Sequence, residues 1–377
     1  PTGCGRCVGN KNCVGTLTAQ SFAVTSADTS CSAVTSSTNS LSGTTFSFSP
    51  AVSPISQTQG IGAVTWTNVT TDGTTVYGLS AIPAGAYAQA NVCVSENSGA
   101  WTQASAGTLT DGGTIDFRVG YIPQSGWVQT KVGNVYALNQ LTSSVPITAT
   151  NPYFSLVGTG GTAGLVSYGS GYDFSLAAGD LGETQVSPNL WLVNQSHTPI
   201  HYYERFNQTL RNTTKTAITT GLDSLTKPAC ATNPCVFTIE GNVISAASSP
   251  WTIGANEQII ILVNGNVTIS SDITITSGGF FALIVNGNIT IDPTVTTLNG
   301  MYIASTDTFT GTFSSGAGTT QLTVLGSVIA DEFSLQRDLG ALNDSTPGEF
   351  FELDPQLLFT MPEALKEAPY VWQEVAP

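Results

Sequence analysis

Ile239-Glu240-Gly241-Asn242-Val243-Ile244 returns as Val263-Asn264-Gly265-Asn266-Val267-Thr268 and again as Val285-Asn286-Gly287-Asn288-Ile289-Thr290. A looser copy is Val324-Leu325-Gly326-Ser327-Val328-Ile329, and an early one is Val132-Gly133-Asn134-Val135. From Gly241 onward the glycine spacings are 24, 22 and 39 residues, the last close to two periods. Self-similarity at about 20–25 residues is the mark of a solenoid. β-Branched residues flank each glycine, so the repeated unit is a strand and the expected object is a β-helix.

A hairpin competes with this reading, because Asn-Gly between alternating apolar residues is also a strong hairpin signal. Type I′ turns need positive φ at both central residues, which bulky side chains resist. Glu240-Gly241 fits that demand poorly and Leu325-Gly326 fits it worse. In a solenoid the same site is only a bend. Asn242, Asn266 and Asn288 are then expected to stack as an amide ladder, about 4.8 Å per rung. The solenoid reading is therefore preferred.

The rest of the chain is read outward from these rungs. Ile259-Ile260-Ile261-Leu262-Val263 and Phe280-Phe281-Ala282-Leu283-Ile284-Val285 are continuous apolar runs, as expected for strands buried on both faces. Trp127 to Ala137 contains the early copy and reads as an early rung. The β-helix is placed at 123–345, with a long insertion at about 145–235. Within that insertion, His201 to Leu210 reads as a short helix, with Tyr202, Tyr203 and Phe206 packing on the solenoid. The glycine-rich stretch 158–164 lacks the helix and lysine of a phosphate-binding loop and reads as a surface loop. Residues 346–377 turn acidic and aromatic, and read as a tail that caps the open solenoid end.

Before the solenoid, residues 14–122 alternate in the manner of strands: Thr44 to Phe48, Ala63 to Trp66 and Thr114 to Val119, separated by Gly and Asp-Gly turns. No helical period is visible, and the spacing suggests a β-sandwich. The fold class is thus all-β, a sandwich followed by a solenoid, with residues 1–13 as a Cys-rich lead. The phrase Thr74-Thr75-Val76-Tyr77-Gly78-Leu79, Ile82-Pro83-Ala84-Gly85-Ala86-Tyr87 and Val92-Cys93-Val94 resembles the prealbumin-like repeats of bacterial surface adhesins. Some such domains carry Lys–Asn isopeptide crosslinks. Residues 14–122 contain no lysine, so none is expected here.

A second resemblance covers most of the chain. Its landmarks are Trp127, the Val-x-Gly-Asn repeats, Gly326-Ser327-Val328, Leu335-Gln336-Arg337-Asp338-Leu339 and the terminal Trp372-Gln373-Glu374-Val375-Ala376-Pro377. Together they resemble an uncharacterised family of large secreted or cell-surface proteins of candidate-phylum bacteria. The resemblance implies a surface location and a natural C-terminus at Pro377. It brings no catalytic residues.

Composition narrows the function classes. Of 377 residues only 9% are charged, and ten Lys+Arg against 25 Asp+Glu give −15. Nucleic acid and anionic membranes select basic patches, so neither is an expected partner. No run of 18 apolar residues is present, so no membrane span is expected. The first residue is Pro1 rather than Met, from which a removed leader is expected.

Seven cysteines in a Ser/Thr/Gly-rich chain suggest an oxidising, extracellular setting. Cys230 and Cys235 bracket a Pro-containing loop and are expected to pair. Cys31 and Cys93 are placed to staple the sandwich. Two of Cys4, Cys7 and Cys13 would form a third bridge, leaving an odd cysteine. The spacing of Cys4, Cys7 and Cys13 also allows a zinc site completed by Cys31, without a second C-x2-C to support it.

Candidate chemistry is sparse. His197 and His201 have i, i+4 spacing, with Glu204 as a third metal ligand, but Pro199 between them disfavours the helix they need. No cofactor is expected. A polysaccharide-acting β-helix needs converging carboxylates, and Asp331, Glu332, Arg337 and Asp338 are the nearest set. Arg337 and Asp338 read more simply as a local ion pair, and no catalytic residue is assigned. A glycan-binding adhesin would need exposed aromatic platforms, from Trp66, Trp101 or Trp251. Asn-x-Ser/Thr sequons occur at Asn68, Asn194, Asn207, Asn212, Asn266, Asn288 and Asn343. With Ser and Thr this abundant, chance accounts for such a number, although a surface location permits glycosylation.

The function expected from these features is extracellular and structural: self-assembly into a filament or surface layer. Sparse charge lets subunits approach with little desolvation, and unpaired strand edges can pair with another chain. In one version a strand near Thr16–Thr25 completes the sandwich of the next molecule. The alternatives are a glycan-binding adhesin and a polysaccharide-acting enzyme.

Overall fold

The structure is a computed structural model. It describes residues 13–25, 28–83, 87–123, 126–145, 154–155, 165–175, 191–194 and 199–366. The chain is all-β, with about 10% helix and a β-solenoid of about six turns over residues 215–352.

The sandwich pairs a five-stranded sheet with a four-stranded one. In the first sheet the order is Val64–Thr71, Cys13–Ala23, Thr114–Pro123, Tyr87–Glu96, Thr102–Gln103. In the second it is Ser56–Thr58, Thr45–Ser49, Val76–Ile82, Ala106–Thr108. Alternate residues of both sheets meet in one core around Leu17, Phe46, Phe48, Trp66, Tyr77 and Phe117. The Phe48 and Trp66 rings meet edge to face at 4.9 Å. A short helix, Cys31–Ser36, was not legible in the alternating text. Its Ala33 N–H donates to the Ser30 hydroxyl, and Cys31 is bonded to Cys93 on strand Tyr87–Glu96.

Strand Cys13–Ala23 lies inside its own sheet, antiparallel to Val64–Thr71 and parallel to Thr114–Pro123. The expectation that a strand near Thr16–Thr25 is donated to a neighbouring molecule is therefore corrected. Leu17 and Ala19 are buried in the sandwich core, and both hydrogen-bonding edges of the strand are taken.

The solenoid is built on one parallel sheet. From Lys215–Ala217 it passes through Cys235–Glu240, Gln258–Asn264, Phe280–Asn286, Thr297–Ala304 and Leu322–Ala330 to Glu349–Glu352. A second parallel sheet stacks Val243–Ile244, Val267–Ile269, Ile289–Ile291, Thr312–Ser314 and Glu332–Ser334. The continuous apolar runs are buried on both faces, as expected. Ile259, Ile261, Val263, Phe281, Leu283 and Val285 line the interior. Ile260, Leu262, Phe280, Ala282 and Ile284 face outward under Tyr202, Tyr203, Phe206 and Leu210. Those residues belong to or directly follow helix Tyr202–Thr209, close to the bounds expected from sequence. Each fully buried Ile or Phe contributes about 1.5–3 kcal/mol, so this doubly covered sheet dominates the solenoid's stability.

The order of the rungs departs from chain order. Strand Val128–Lys131 pairs in parallel with Glu349–Glu352, and Phe154–Ser155 pairs beyond it. The phrase at Trp127 to Ala137 is a rung, but it stacks on the last turn of the solenoid rather than the first. From Val135 onward, before and within the stretch read as an insertion, further parallel pairs follow. Val135–Ala137, Leu165–Tyr168 and Trp191–Asn194 pair in parallel, as do Gln140–Val145 and Gly171–Ser175. The glycine-rich loop 158–164 lies outside the described residues. Glu349–Glu352 is an interior strand rather than a cap. Helix Gln356–Thr360 and the turn Glu363–Leu365 return along the flank, where Leu357 and Leu365 join the outer core.

Candidate functional site

The repeated phrase is decoded by three columns at one corner of the solenoid. The first runs Glu240, Asn264, Asn286, at neighbouring register positions. The Asn264 amide donates to Glu240 Oε2 at 2.7 Å, and the Asn286 amide to Asn264 Oδ1 at 2.9 Å. The second is a glycine column, with Gly241, Gly265 and Gly287 on successive rungs as expected. A Cβ at Gly265 would lie 2.4 Å from the Gly241 carbonyl oxygen, and one at Gly287 2.4 Å from that of Gly265. The third runs Asn242, Asn266, Asn288, and its chemistry differs from the expected amide ladder. Each side-chain oxygen accepts a backbone N–H of the next rung, from residues 266, 288 and 312 in turn, at 2.9 Å each. The amide ladder sits two residues earlier. Asparagine is required at the third column because the corner leaves an N–H that no strand partner reaches.

Gly326 and Gly133 belong to another corner. Gly326 stacks on Gly300, and Lys131, two residues before Gly133, shares the register of Leu325 through Glu352. The spacing of 39 therefore is not two periods of one column.

The candidate catalytic set does not converge, and Asp331, Arg337 and Asp338 each have a structural task. The Asp331 carboxylate accepts Thr306 N–H at 2.8 Å, Gly311 N–H at 2.9 Å and the Ser305 hydroxyl at 3.2 Å, fixing the loop between them. Glu332 is exposed at the start of strand Glu332–Ser334. Asp338 accepts from Gly340 N–H and from the Asn343 amide. Arg337 is 1% exposed and forms no ion pair with Asp338. Its Nε donates to Ser315 O at 2.8 Å, Nη1 to Pro293 O at 2.6 Å and Thr320 O at 3.4 Å, and Nη2 to Asp292 O at 3.1 Å and Val295 O at 3.0 Å.

Arg337 thus knits three rungs together, beside a second buried charge. Glu349 accepts the Ser315 hydroxyl at 2.6 Å and the Arg337 backbone N–H at 2.9 Å. Burial pushes the Glu349 carboxyl up, opposed by the Ser315 and Arg337 hydrogen bonds and the Arg337 charge. Burial also lowers Arg337, opposed by Glu349 and Asp292. The Trp127 indole N–H donates to Asn343 O at 2.9 Å, and Gly348 N–H to Trp127 O at 2.8 Å. A Cβ at Gly126 would lie 1.9 Å from the Arg337 carbonyl oxygen. This cluster locks the strand Val128–Lys131 onto the last turn, aided by the Lys131–Glu352 ion pair at 2.8 Å. Ser315, Asn343 and Glu349 gave no periodic signal in the sequence.

The raised Glu349 pKa gives a pH prediction. The folded state holds this proton more tightly than the unfolded chain does. Its stabilising contribution is full below the ordinary 4.5 and is lost as pH rises through the raised value. Glu349→Gln removes that loss. The unfolding free energy of the variant relative to wild type, from urea titration, is expected to rise between pH 4 and pH 7, by about 1.4 kcal/mol per unit of upward shift. A difference independent of pH, or moving the other way, refutes the assignment.

The remaining candidates fall as follows. Cys31–Cys93 and Cys230–Cys235 are disulfides, as expected. Cys13 is disulfide-bonded as well, and Cys4 and Cys7 lie outside the described residues. A zinc site using Cys31 is therefore excluded. His197 also lies outside them. Glu204 takes the Gln208 amide at 2.5 Å, and no metal-binding cluster occurs among the described residues. Trp66 and Trp251 are buried in the two cores, 1% and 4% exposed. Trp101 is half-buried under the Arg118 guanidinium at 5.0 Å. None of the three is an open platform. Asn343 is fully buried, so its sequon is inaccessible in the fold. Asn68, Asn212, Asn266 and Asn288 are exposed, Asn207 is half-buried beneath Lys215, and Asn194 ends strand Trp191–Asn194. Among the described residues no helix is long and apolar enough to cross a membrane.

No protein-family model, curated protein or solved structure matches the chain.

Proposed function

We propose that the chain is an extracellular structural protein that self-assembles end to end into a filament or surface layer. The observation that carries this reading is the main parallel sheet. It runs without interruption from Phe154–Ser155 to Lys215–Ala217, and among the described residues each of these edge strands has one neighbour. A parallel sheet has two unlike edges. Pairing one with the other is heterologous and repeats without closing, which is the geometry of a filament. The solenoid already takes a strand from a remote segment by this chemistry, at Val128–Lys131 on Glu349–Glu352. Sparse charge, 9% of residues, lowers the desolvation cost of such stacking. Two disulfides fit a non-reducing compartment, and the resemblance to secreted or cell-surface proteins points the same way.

The edge at Lys215–Ala217 offers a test. Ile218 N–H donates inward to Thr238 O at 2.9 Å, so by alternation the Ala217 N–H faces the open edge. Intact protein is expected to grow with concentration in light scattering and to form linear particles in electron micrographs. Ala217→Pro removes the outward donor while sparing the inward ladder, and is expected to hold the protein monomeric. Wild-type protein that stays monomeric at every concentration sinks the proposal. So does an Ala217→Pro variant that assembles like wild type.

A further inference from the structure

At the corner where three rungs use the short Gly-Asn bend, the next rung inserts a longer loop, Ser305-Thr306-Asp307-Thr308-Phe309-Thr310-Gly311. In repeat proteins such corner insertions are a common place for binding surfaces. Three features single this loop out. It is held rigid from below by the Asp331 carboxylate, which takes the Thr306 and Gly311 N–H groups at 2.8 and 2.9 Å. At its tip Phe309 has φ of +56°, a left-handed conformation that bulky side chains rarely adopt, and its side chain is 39% exposed. Around it, the hydroxyls of Thr306, Thr308 and Thr310 form a triangle with edges of 3.1, 3.2 and 3.3 Å.

That triangle is under-used. O–H···O bonds between hydroxyls are usually about 2.7–2.8 Å long, so at these separations the three groups bond one another weakly. Each hydroxyl has one donor and two acceptor sites. The only shorter contact here is the Thr310 N–H to the Thr306 oxygen at 3.0 Å. Backbone strain at an exposed aromatic, on a loop pinned from below, is the signature of a conformation kept for contact rather than for folding.

We propose that this loop is a binding site for a neutral pyranose sugar. The ligand's apolar C–H face would lie on the Phe309 ring, and its hydroxyls would exchange hydrogen bonds with Thr306, Thr308 and Thr310. A ring beside neutral hydroxyls matches an uncharged, amphipathic ligand. Asp307 in the same loop is exposed and Asp331 lies beneath it, so the patch carries negative charge that disfavours acidic sugars and leaves neutral ones. This site differs from the tryptophan platforms expected from sequence, and it stands independently of end-to-end assembly.

The test uses the intact chain on an array of immobilised neutral oligosaccharides built from glucose, mannose, galactose and N-acetylglucosamine. Binding to at least one is expected. Thr308→Val and Phe309→Gly are each expected to reduce that signal at least ten-fold. Phe309→Gly carries a second, opposite readout. It relieves the left-handed strain, so its urea midpoint should equal or exceed that of wild type while binding is lost. A ring kept only for packing would instead lower the midpoint. Absence of binding to every array member overturns the proposal, as does binding unchanged by Phe309→Gly. Linear assembly should be unaffected in either variant, which keeps failure here distinct from failure of the assembly reading.

Discussion

Arg337→Met is expected to destabilise the C-terminal rungs by about 3–5 kcal/mol, the range found when one member of a buried, hydrogen-bonded charge cluster is removed. Met keeps much of the volume but donates nothing. The carbonyls of Asp292, Pro293, Val295, Ser315 and Thr320 lose their shared donor. Each buried acceptor left unpaired costs about 1–3 kcal/mol before relaxation. Glu349 also loses the positive charge that partly offsets its burial. Arg337→Lys keeps that charge but has three donors on one nitrogen instead of a planar fork, so it should recover only part of the loss. Because repeat arrays need not unfold in one step, the measurement pairs urea denaturation with hydrogen exchange. Faster exchange should appear in strands Thr312–Ser314, Leu322–Ala330 and Glu349–Glu352 before strand Gln258–Asn264. A Met variant within about 1 kcal/mol of wild type would show that water satisfies those carbonyls as well as Arg337 does.

What the sequence discloses and what it conceals follow from the range of the forces involved. Each Val-x-Gly-Asn copy carries its own local demands: a residue for the side-chain ladder, a glycine for close approach and an asparagine for the next rung's N–H. A reader of one strand can see these, so the solenoid and the register of Gly241, Gly265 and Gly287 were legible. The stacking partner of a rung is a long-range choice. Val128–Lys131 joins Glu349–Glu352 because Trp127, Asn343, Lys131 and Glu352 fit across the junction. No local period encodes that. Gly326 imitates the motif because a different corner also brings backbones close, an added Cβ lying 1.9 Å from the Gly300 carbonyl oxygen, whereas Gly133 faces only the Leu353 side chain at 3.3 Å. Arg337-Asp338 looks like a local ion pair in the text, whereas in the irregular segment after strand Glu332–Ser334 the Arg337 side chain enters the core to meet carbonyls of three rungs and Asp338 binds Gly340 and Asn343 instead. Tryptophan was equally ambiguous. The same ring serves a core or a platform, and Trp66 and Trp251 went to the cores.

Gly265→Ala is expected to cost about 2–5 kcal/mol, from two sources that a neighbouring glycine separates. Gly265 has φ of +152° and Gly241 of +108°, both unfavourable for a residue with a Cβ. That conformational penalty is about 1–2 kcal/mol. The steric one differs. At Gly265 the added carbon would sit 2.4 Å from the Gly241 carbonyl oxygen, a backbone atom that cannot swing away. At Gly241, on the outermost copy of the column, nothing lies within 4 Å. Relief at Gly265 requires adjacent rungs to separate, which stretches the Asn242-to-Asn266 and Glu240-to-Asn264 bonds at the same corner. Overpacking of this kind adds about 1–3 kcal/mol. Gly287→Ala, 2.4 Å from the Gly265 carbonyl oxygen, should behave like Gly265→Ala. The expected order of urea midpoints is therefore wild type, then Gly241→Ala, then Gly265→Ala and Gly287→Ala together. If Gly241→Ala proves as damaging as Gly265→Ala, backbone conformation alone explains the conserved spacing of the phrase within the chain. The close stacking of rungs would then not be what selects glycine.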